Sequence, residues 1–343
     1  MSFRNLTFVV SILLSAQAVS SATLVVLNKA EATASLIDIE SGVVLATLPT
    51  DVGPHEVAIS PDGTIALACN YGTRAAPGST ITVIDIEDRK VLKTIDLGDY
   101  RRPHGVTWLS DGRRAVVTTE AQKALLVVDI ESGKISEAIE TDQEISHMVA
   151  VTPDGRRAFV ANIGSGSVTA IDLEEGERIA QILTGEGAEG IDITPDGREV
   201  WVTNRAVNTL SVIDVSTLKI TETLEVGEFP IRVTITPEGN HVLVSNARSA
   251  DVAVFDAKTK RMIRRVSMQR GEATTDGKLF GDQFGDSSIP IGIVVEPRGS
   301  RAWIALAGSD LIAELDLVTW RLTRTLKAGR EPDGMAYSPV ELR

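Results

Sequence analysis

Seven short apolar runs of this chain each end on an aspartate that follows an apolar residue: Asp38, Asp85, Asp129, Asp172, Asp214, Asp256 and Asp316. Their spacings are 47, 44, 43, 42, 42 and 60 residues, with several strand-like runs in each unit and no helical periodicity. A unit this short cannot bury its own apolar faces, and a period of ~40–45 residues is that of a propeller blade. The expected fold is therefore all-β: a seven-bladed β-propeller of four-stranded antiparallel blades. The repeats run almost end to end through 343 residues, so residues 23–343 are expected to form one domain with no room for a second.

Residues 188–229 show the unit most plainly. Gly190 to Thr194 reads as a strand, Pro195-Asp196-Gly197 as a tight turn whose glycine accepts a positive φ, and residues 199–203, 209–215 and 219–226 as three further strands. Equivalent glycines fall at Gly63, Gly112, Gly155, Gly239 and Gly299, and Pro339, aligned with Pro61, Pro195 and Pro297, marks a seventh first strand. The N-terminal end then holds only strands two to four of a blade (24–27, 35–39, 43–48), and the C-terminal end only a first strand (334–338). N- and C-terminal strands are expected to share one blade, which removes an open sheet edge and closes the ring. Insertions at 71–80 and 268–288 lengthen connections on the face opposite the Asp-Gly turns, which marks that face as the expected binding face.

The first residues stand apart. Arg4, an apolar run from Leu6 to Ala16, and small-x-small sites at Ala16-Gln17-Ala18 and Ser20-Ser21-Ala22 have the form of a signal peptide, residues 1–22, cleaved after about 18 or 22. The run is shorter than the ~20 apolar residues that cross a bilayer. The expected product is soluble: a periplasmic or secreted monomer without membrane insertion. Cys69 is the single cysteine; in its apolar strand it reads as a buried thiol rather than a nucleophile, and it leaves no intrachain disulfide. The net charge of -13 disfavours nucleic acid, which demands clustered Lys and Arg.

Counting back eight residues from each turn glycine reaches the start of each innermost strand, at the mouth of the central channel. Around the ring those residues are Asp333, His55, His104, His147, Glu189, Ile231 and Ile291. Three imidazoles flanked by carboxylates are a donor set for a transition metal, copper or zinc foremost, with His55, His104, His147, Asp333 and Glu189 as ligands. The same residues with Arg232 also suit a polar pocket for a small-molecule or protein ligand. An acid–base lactonase or lyase would draw on His147, Glu189 and Arg232. Arg232 has a plainer reading as an ion-pair partner of Glu189 or Glu228. Asp276, Asp282 and Asp286 in the second insertion offer carboxylates for calcium, but their spacing is not that of an EF-hand loop, and a solvated acidic loop is the expectation.

Five second strands close on a shared tetrapeptide: Val25-Val26-Leu27-Asn28, Leu67-Ala68-Cys69-Asn70, Phe159-Val160-Ala161-Asn162, Trp201-Val202-Thr203-Asn204 and Leu243-Val244-Ser245-Asn246. This resembles the YVTN repeat over about residues 24 to 339. The resemblance implies a seven-bladed, often exported propeller, in a family that includes YncE-like binding proteins, surface-layer proteins, propellers associated with quinone-dependent oxidation, and relatives of the d1-haem propeller of nitrite reductases. It also implies that the Pro54-His55 and Pro103-His104 pairs fit the repeat consensus, and that the asparagines cap the following turn. A haem d1 axial role would fall to His55, His104 or His147, behind a bare metal in rank, since no Cys-x-x-Cys-His segment is present and only Arg101, Arg102 and Arg232 supply positive charge near the mouth. The expected function is an exported ligand- or metal-binding accessory protein working through the channel mouth. The alternative is a metal- or haem-dependent oxidoreductase, or a lactonase or lyase, on the same histidines.

Overall fold

The structure, a computed structural model, describes residues 22–270 and 281–342. The signal segment, Ala22 excepted, and Asp276 lie outside the described residues, as do the side chains of Gly281 and Asp282. The described chain forms seven four-stranded antiparallel sheets. In the closing sheet Pro332–Ser338 lies beside Thr23–Asn28, followed by Thr33–Asp38 and Val44–Pro49, with Thr23 opposite Ser338 and Val26 opposite Met335. The two chain ends therefore share one blade, and the C-terminal strand starts two residues earlier than its apolar run suggests.

The repeated aspartates make the turns into the outermost strands. The Asp38 carboxylate accepts the Ser41 N–H at 2.7 Å, Asp214 accepts Thr217 at 2.8 Å and Asp256 accepts Thr259 at 2.7 Å, each an Asx turn that reverses the chain. Burial falls from the second strand to the outer edge of a blade: Thr23–Asn28 is buried throughout, whereas Val44–Pro49, the outer strand of the same blade, holds no buried residue. Hence inner strands read as continuous apolar runs and outer ones as alternating polar sequence. The tetrapeptide asparagines do not cap turns as expected. Their side-chain amides tie second strand to third through hydroxyls, Asn204 Nδ2 to Thr209 Oγ1 at 3.0 Å and to Ser211 Oγ at 2.9 Å, with the same pattern at Asn28 and Asn70.

The cores lie between blades. Leu67, Cys69, Ile81 and Val83 of one blade pack on Ala115, Val117, Leu126 and Val128 of the next, and Cys69 is fully buried, its thiol pKa pushed up by burial. Each such aliphatic side chain contributes about 1.5–3 kcal/mol when it leaves water, so a blade without its neighbours loses most of its stabilisation. The first insertion is partly strand rather than loop: Ile65–Gly72 and Pro77–Asp85 are longer than their counterparts and pair as far as Gly72 with Pro77.

Candidate functional site

Each first strand carries its mouth residue in second position, as His55 in Pro54–Ile59, His104 in Pro103–Trp108, His147 in Ser146–Val151 and Glu189 in Ala188–Ile193. Two local features aim these side chains. The residue just before each strand has a positive φ, from Gly53 and Arg102 through Phe229 to Glu331. The pairing then slips by one residue, for example between Pro54 and Val57 and between Ala188 and Ile191, a bulge that turns the residue inside it toward the channel. Behind the mouth the inner strands approach closely. A Cβ at Gly190 would lie 2.6 Å from the Ile231 carbonyl, and one at Gly334 2.2 Å from that of His55. At the equivalent level Glu56 and Arg232 instead carry long side chains, and these meet.

The Arg232–Glu56 pair spans the ring. Its guanidinium donates to Glu56 Oε1 through Nε at 3.1 Å and also through a terminal nitrogen, although the residues are 176 apart in sequence. Arg232 also sits 3.6 Å from Glu189 Oε1. Sequence spacing pairs it with Glu189 or Glu228; its principal partner is Glu56, and Arg232 lines a cup of about 160 Å³. The arc of the cup is polar. Lys29 pairs with Asp333 at 3.2 Å, His55 Nδ1 lies 3.6 Å from Asp333, and Arg205 donates to Glu189 at 2.6 Å. The rings stack in sequence: Tyr71 on His55 (centroids 4.6 Å, 11°), His55 edge-on to His104 (4.9 Å, 78°), His104 on His147 (3.5 Å, 31°). Opposite the arc stand Ile231, Ile291, Phe229 and Phe284, with Phe284 supplied by the second insertion through the short helical turn Gly281–Phe284. Both insertions thus border the same mouth.

Counting along the repeat misses Lys29, Tyr71, Glu120 and Arg205, although one positional rule finds them: each directly follows the closing position of the tetrapeptide or its equivalent, Asn28, Asn70, Thr119 or Asn204. Glu120 links Tyr71 to the arc, accepting from the Tyr71 hydroxyl at 2.5 Å and facing His147 Nδ1 at 2.6 Å. His147 Nε2 lies 3.4 Å from Glu189.

Burial opposes charge on every histidine of the arc, but the outcomes differ. His55 and His104 are held well below the usual imidazole range by burial and then by neighbouring positive charges, so both are neutral. Burial also disfavours charge on His147, yet the hydrogen bonds and charges of Glu120 and Glu189 outweigh it and raise its pKa. Burial would raise Glu189, but His147, Arg205 and Arg232 draw it down to about 2. An ion fits this arrangement poorly: both nitrogens of His147 face carboxylates, and no group of three or more His, Cys, Asp or Glu side chains among the described residues is disposed to hold a metal. Haem d1 does not fit either, because the cup is smaller than the ~300 Å³ at which pockets for drug-sized ligands begin. In the second insertion Asp286 is exposed, as a solvated loop requires.

Farther down the channel Asp192 accepts the Ile193 N–H and, across the blade boundary, the Ile235 N–H, both at 2.8 Å. Burial outweighs these bonds and pushes its pKa up to about 6 from 3.8. The folded chain therefore holds this proton where the unfolded chain has released it, and folding is penalised above that window and not below it. Relative to wild type, Asp192→Asn is expected to gain up to about 3 kcal/mol between pH 4 and pH 7. Urea unfolding at the two pH values checks this; a difference that stays flat contradicts it.

Residues 113–275 match the family model described as a YNCE-like beta-propeller. No curated protein matches the chain significantly. Among solved structures, hydrazine synthase of Kuenenia stuttgartiensis superposes with a TM-score of 0.69 at 19% identity, over 82% of this chain and 88% of that one. A functionally unknown protein from Desulfotomaculum acetoxidans superposes with a TM-score of 0.75 at 14% identity, over 92% of this chain and 98% of that one. At such identities the likeness is one of fold. The seven closed blades make the chain a seven-bladed β-propeller, and residues 113–275 within it are similar to the YNCE-like beta-propeller family.

Proposed function

We propose that the protein is an exported binding or accessory protein that holds a small ligand in the channel-mouth cup. One observation carries this reading. Three buried polar atoms of the arc, Asp333 Oδ1, His55 Nδ1 and His104 Nδ1, have no hydrogen-bond partner in the protein, and they share a cup with an apolar wall. Buried polar atoms are ordinarily satisfied, so the arc suits hydrogen bonds from outside the chain. Export rests on Arg4, the apolar run and the two small-x-small sites. Intact mass of protein from a native-like host tests it: loss of the first 18 to 22 residues is expected, and retention of Met1 to Ala16 contradicts it.

Thermal-shift screening of a broad small-molecule panel against wild type and Ile291→Trp tests the cup, because the indole fills it from the apolar side. A ligand at a hundred times its Kd adds about 2.7 kcal/mol of stability, so a hit raises the wild-type Tm by several degrees and leaves the variant unmoved. Hits that raise both equally, or an empty screen, contradict the proposal. A proton-transfer enzyme is the second reading, favoured by the Tyr71–Glu120–His147–Glu189 chain with His147 as the acid. It requires His147→Gln to lose turnover while ligand affinity stays within a few fold.

A further inference from the structure

The charges of the cup are already spent on one another. Among the described residues, Lys29 is met by Asp333, Arg205 by Glu189 and Arg232 by Glu56, three cations against three carboxylates, and the His147 imidazole is met by Glu120. A charged ligand would have to break one of these pairs, and stripping the partner from a buried charge is strongly unfavourable. What remains unused on the arc is hydrogen-bonding capacity, on the Nδ1 atoms of two neutral imidazoles and on Asp333 Oδ1. Across from it stand Ile231, Ile291, Phe229 and Phe284, with the two phenyl rings edge-to-face at 4.9 Å and 79°. The size is equally restrictive: about 160 Å³ is close to the cavity of about 150 Å³ that takes benzene in an engineered protein interior.

Building on the channel-mouth reading above, we infer that the ligand is a small uncharged molecule, with one hydrogen-bonding head directed at His55, His104 and Asp333 and a flat or short apolar body against Phe229 and Phe284. The class is that of phenols and short-chain alcohols. Organic anions such as carboxylates, and amines that are protonated near neutral pH, are disfavoured by the balanced pairs. The neutral head gains hydrogen bonds that the chain leaves open, and the apolar body leaves water to pack on the phenyl and aliphatic wall.

Calorimetric titration of the full chain at pH 7.5 with phenol, benzoate and benzylamine tests this, since the three share one ring and differ in head charge. Phenol is expected to bind at least about tenfold more tightly than either charged probe. His104→Gln is expected to weaken phenol by about three- to tenfold, the range of one net hydrogen bond. Ile291→Trp should abolish its binding, and this variant carries the test if His104→Gln fails to fold. Benzoate or benzylamine binding as tightly as phenol, with the heat lost in Ile291→Trp, overturns the uncharged class and leaves a cup that binds ligands. Phenol heat that persists unchanged in Ile291→Trp overturns the placement in the cup. Absence of binding by all three overturns the inference on its own, since the broad panel judges the cup separately.

Discussion

Removal of residues 332–343 is expected to abolish cooperative folding. Pro332–Ser338 is the innermost strand of the closing blade, and it brings Met335 to the cluster of Leu24, Val26, Trp303 and Ile312 while Leu342 joins that of Val25, Leu27, Leu36 and Ala66. Its loss opens both neighbouring interfaces and bares the edge of Thr23–Asn28. At about 1.5–3 kcal/mol for each apolar side chain returned to water, the deficit is comparable with the whole 5–15 kcal/mol of an ordinary domain. Topology supplies a rescue. Because Ser338 lies opposite Thr23, the same segment fused ahead of Ala22 through a short turn would form an ordinary hairpin with that strand. The truncated chain should show no thermal transition and the rearranged chain should recover one near the wild-type Tm. A truncated chain that melts within a few degrees of wild type contradicts the shared blade.

Arg232→Met should be the most destabilising single change at the site. Arg232 and Glu56 are both largely buried, and Arg232 also faces Glu189. Removing the cation leaves a buried carboxylate unpaired, a loss of about 3–5 kcal/mol. Adding Glu56→Gln removes that stranded charge, so the double variant should regain at least half of the loss, a coupling that a double-mutant cycle in urea reads directly. A cost below about 1 kcal/mol would mean a solvated, surface-like pair across the channel.

The architecture is legible in the sequence because it is local and periodic. Asp-Gly turns and apolar spacing report contacts within one blade, and repetition carries them around the ring, so the order Asp333, His55, His104, His147, Glu189, Ile231, Ile291 can be counted from spacing alone. Angular order does not determine pairing across the channel. Glu56 meets Arg232 only because the ring has closed and because glycine occupies the equivalent place in several other first strands. The bulge in each first strand is likewise invisible in a period of about 40 residues, yet it decides which of two consecutive side chains reaches the mouth. Lys29, Tyr71, Glu120 and Arg205 escape sequence reading for a simpler reason: the residue after the tetrapeptide position resembles ordinary turn sequence, and its role appears only when a neighbouring first strand lies beside it. The asparagines show a related limit, since a turn cap and a cross-strand tie to hydroxyls five and seven residues ahead leave the same residue type at the same place.

Only four histidines occur in the chain, and three of them line the cup. His241, which starts the strand His241–Asn246 at the end opposite the mouth, is an internal reference about 17 Å away along that strand. Ring 15N and 13C NMR signals of the full protein, followed across pH and then during addition of a small uncharged ligand such as phenol, therefore report on the cup residue by residue. In the free protein His55 and His104 are expected to stay neutral down to well below the usual imidazole range while His147 titrates above it, and ligand shifts are expected in the signals of His55 and His104 with His241 unmoved. Three cup histidines that titrate together near ~6.5, as solvated imidazoles do, and that ignore every ligand that stabilises the protein, would contradict it.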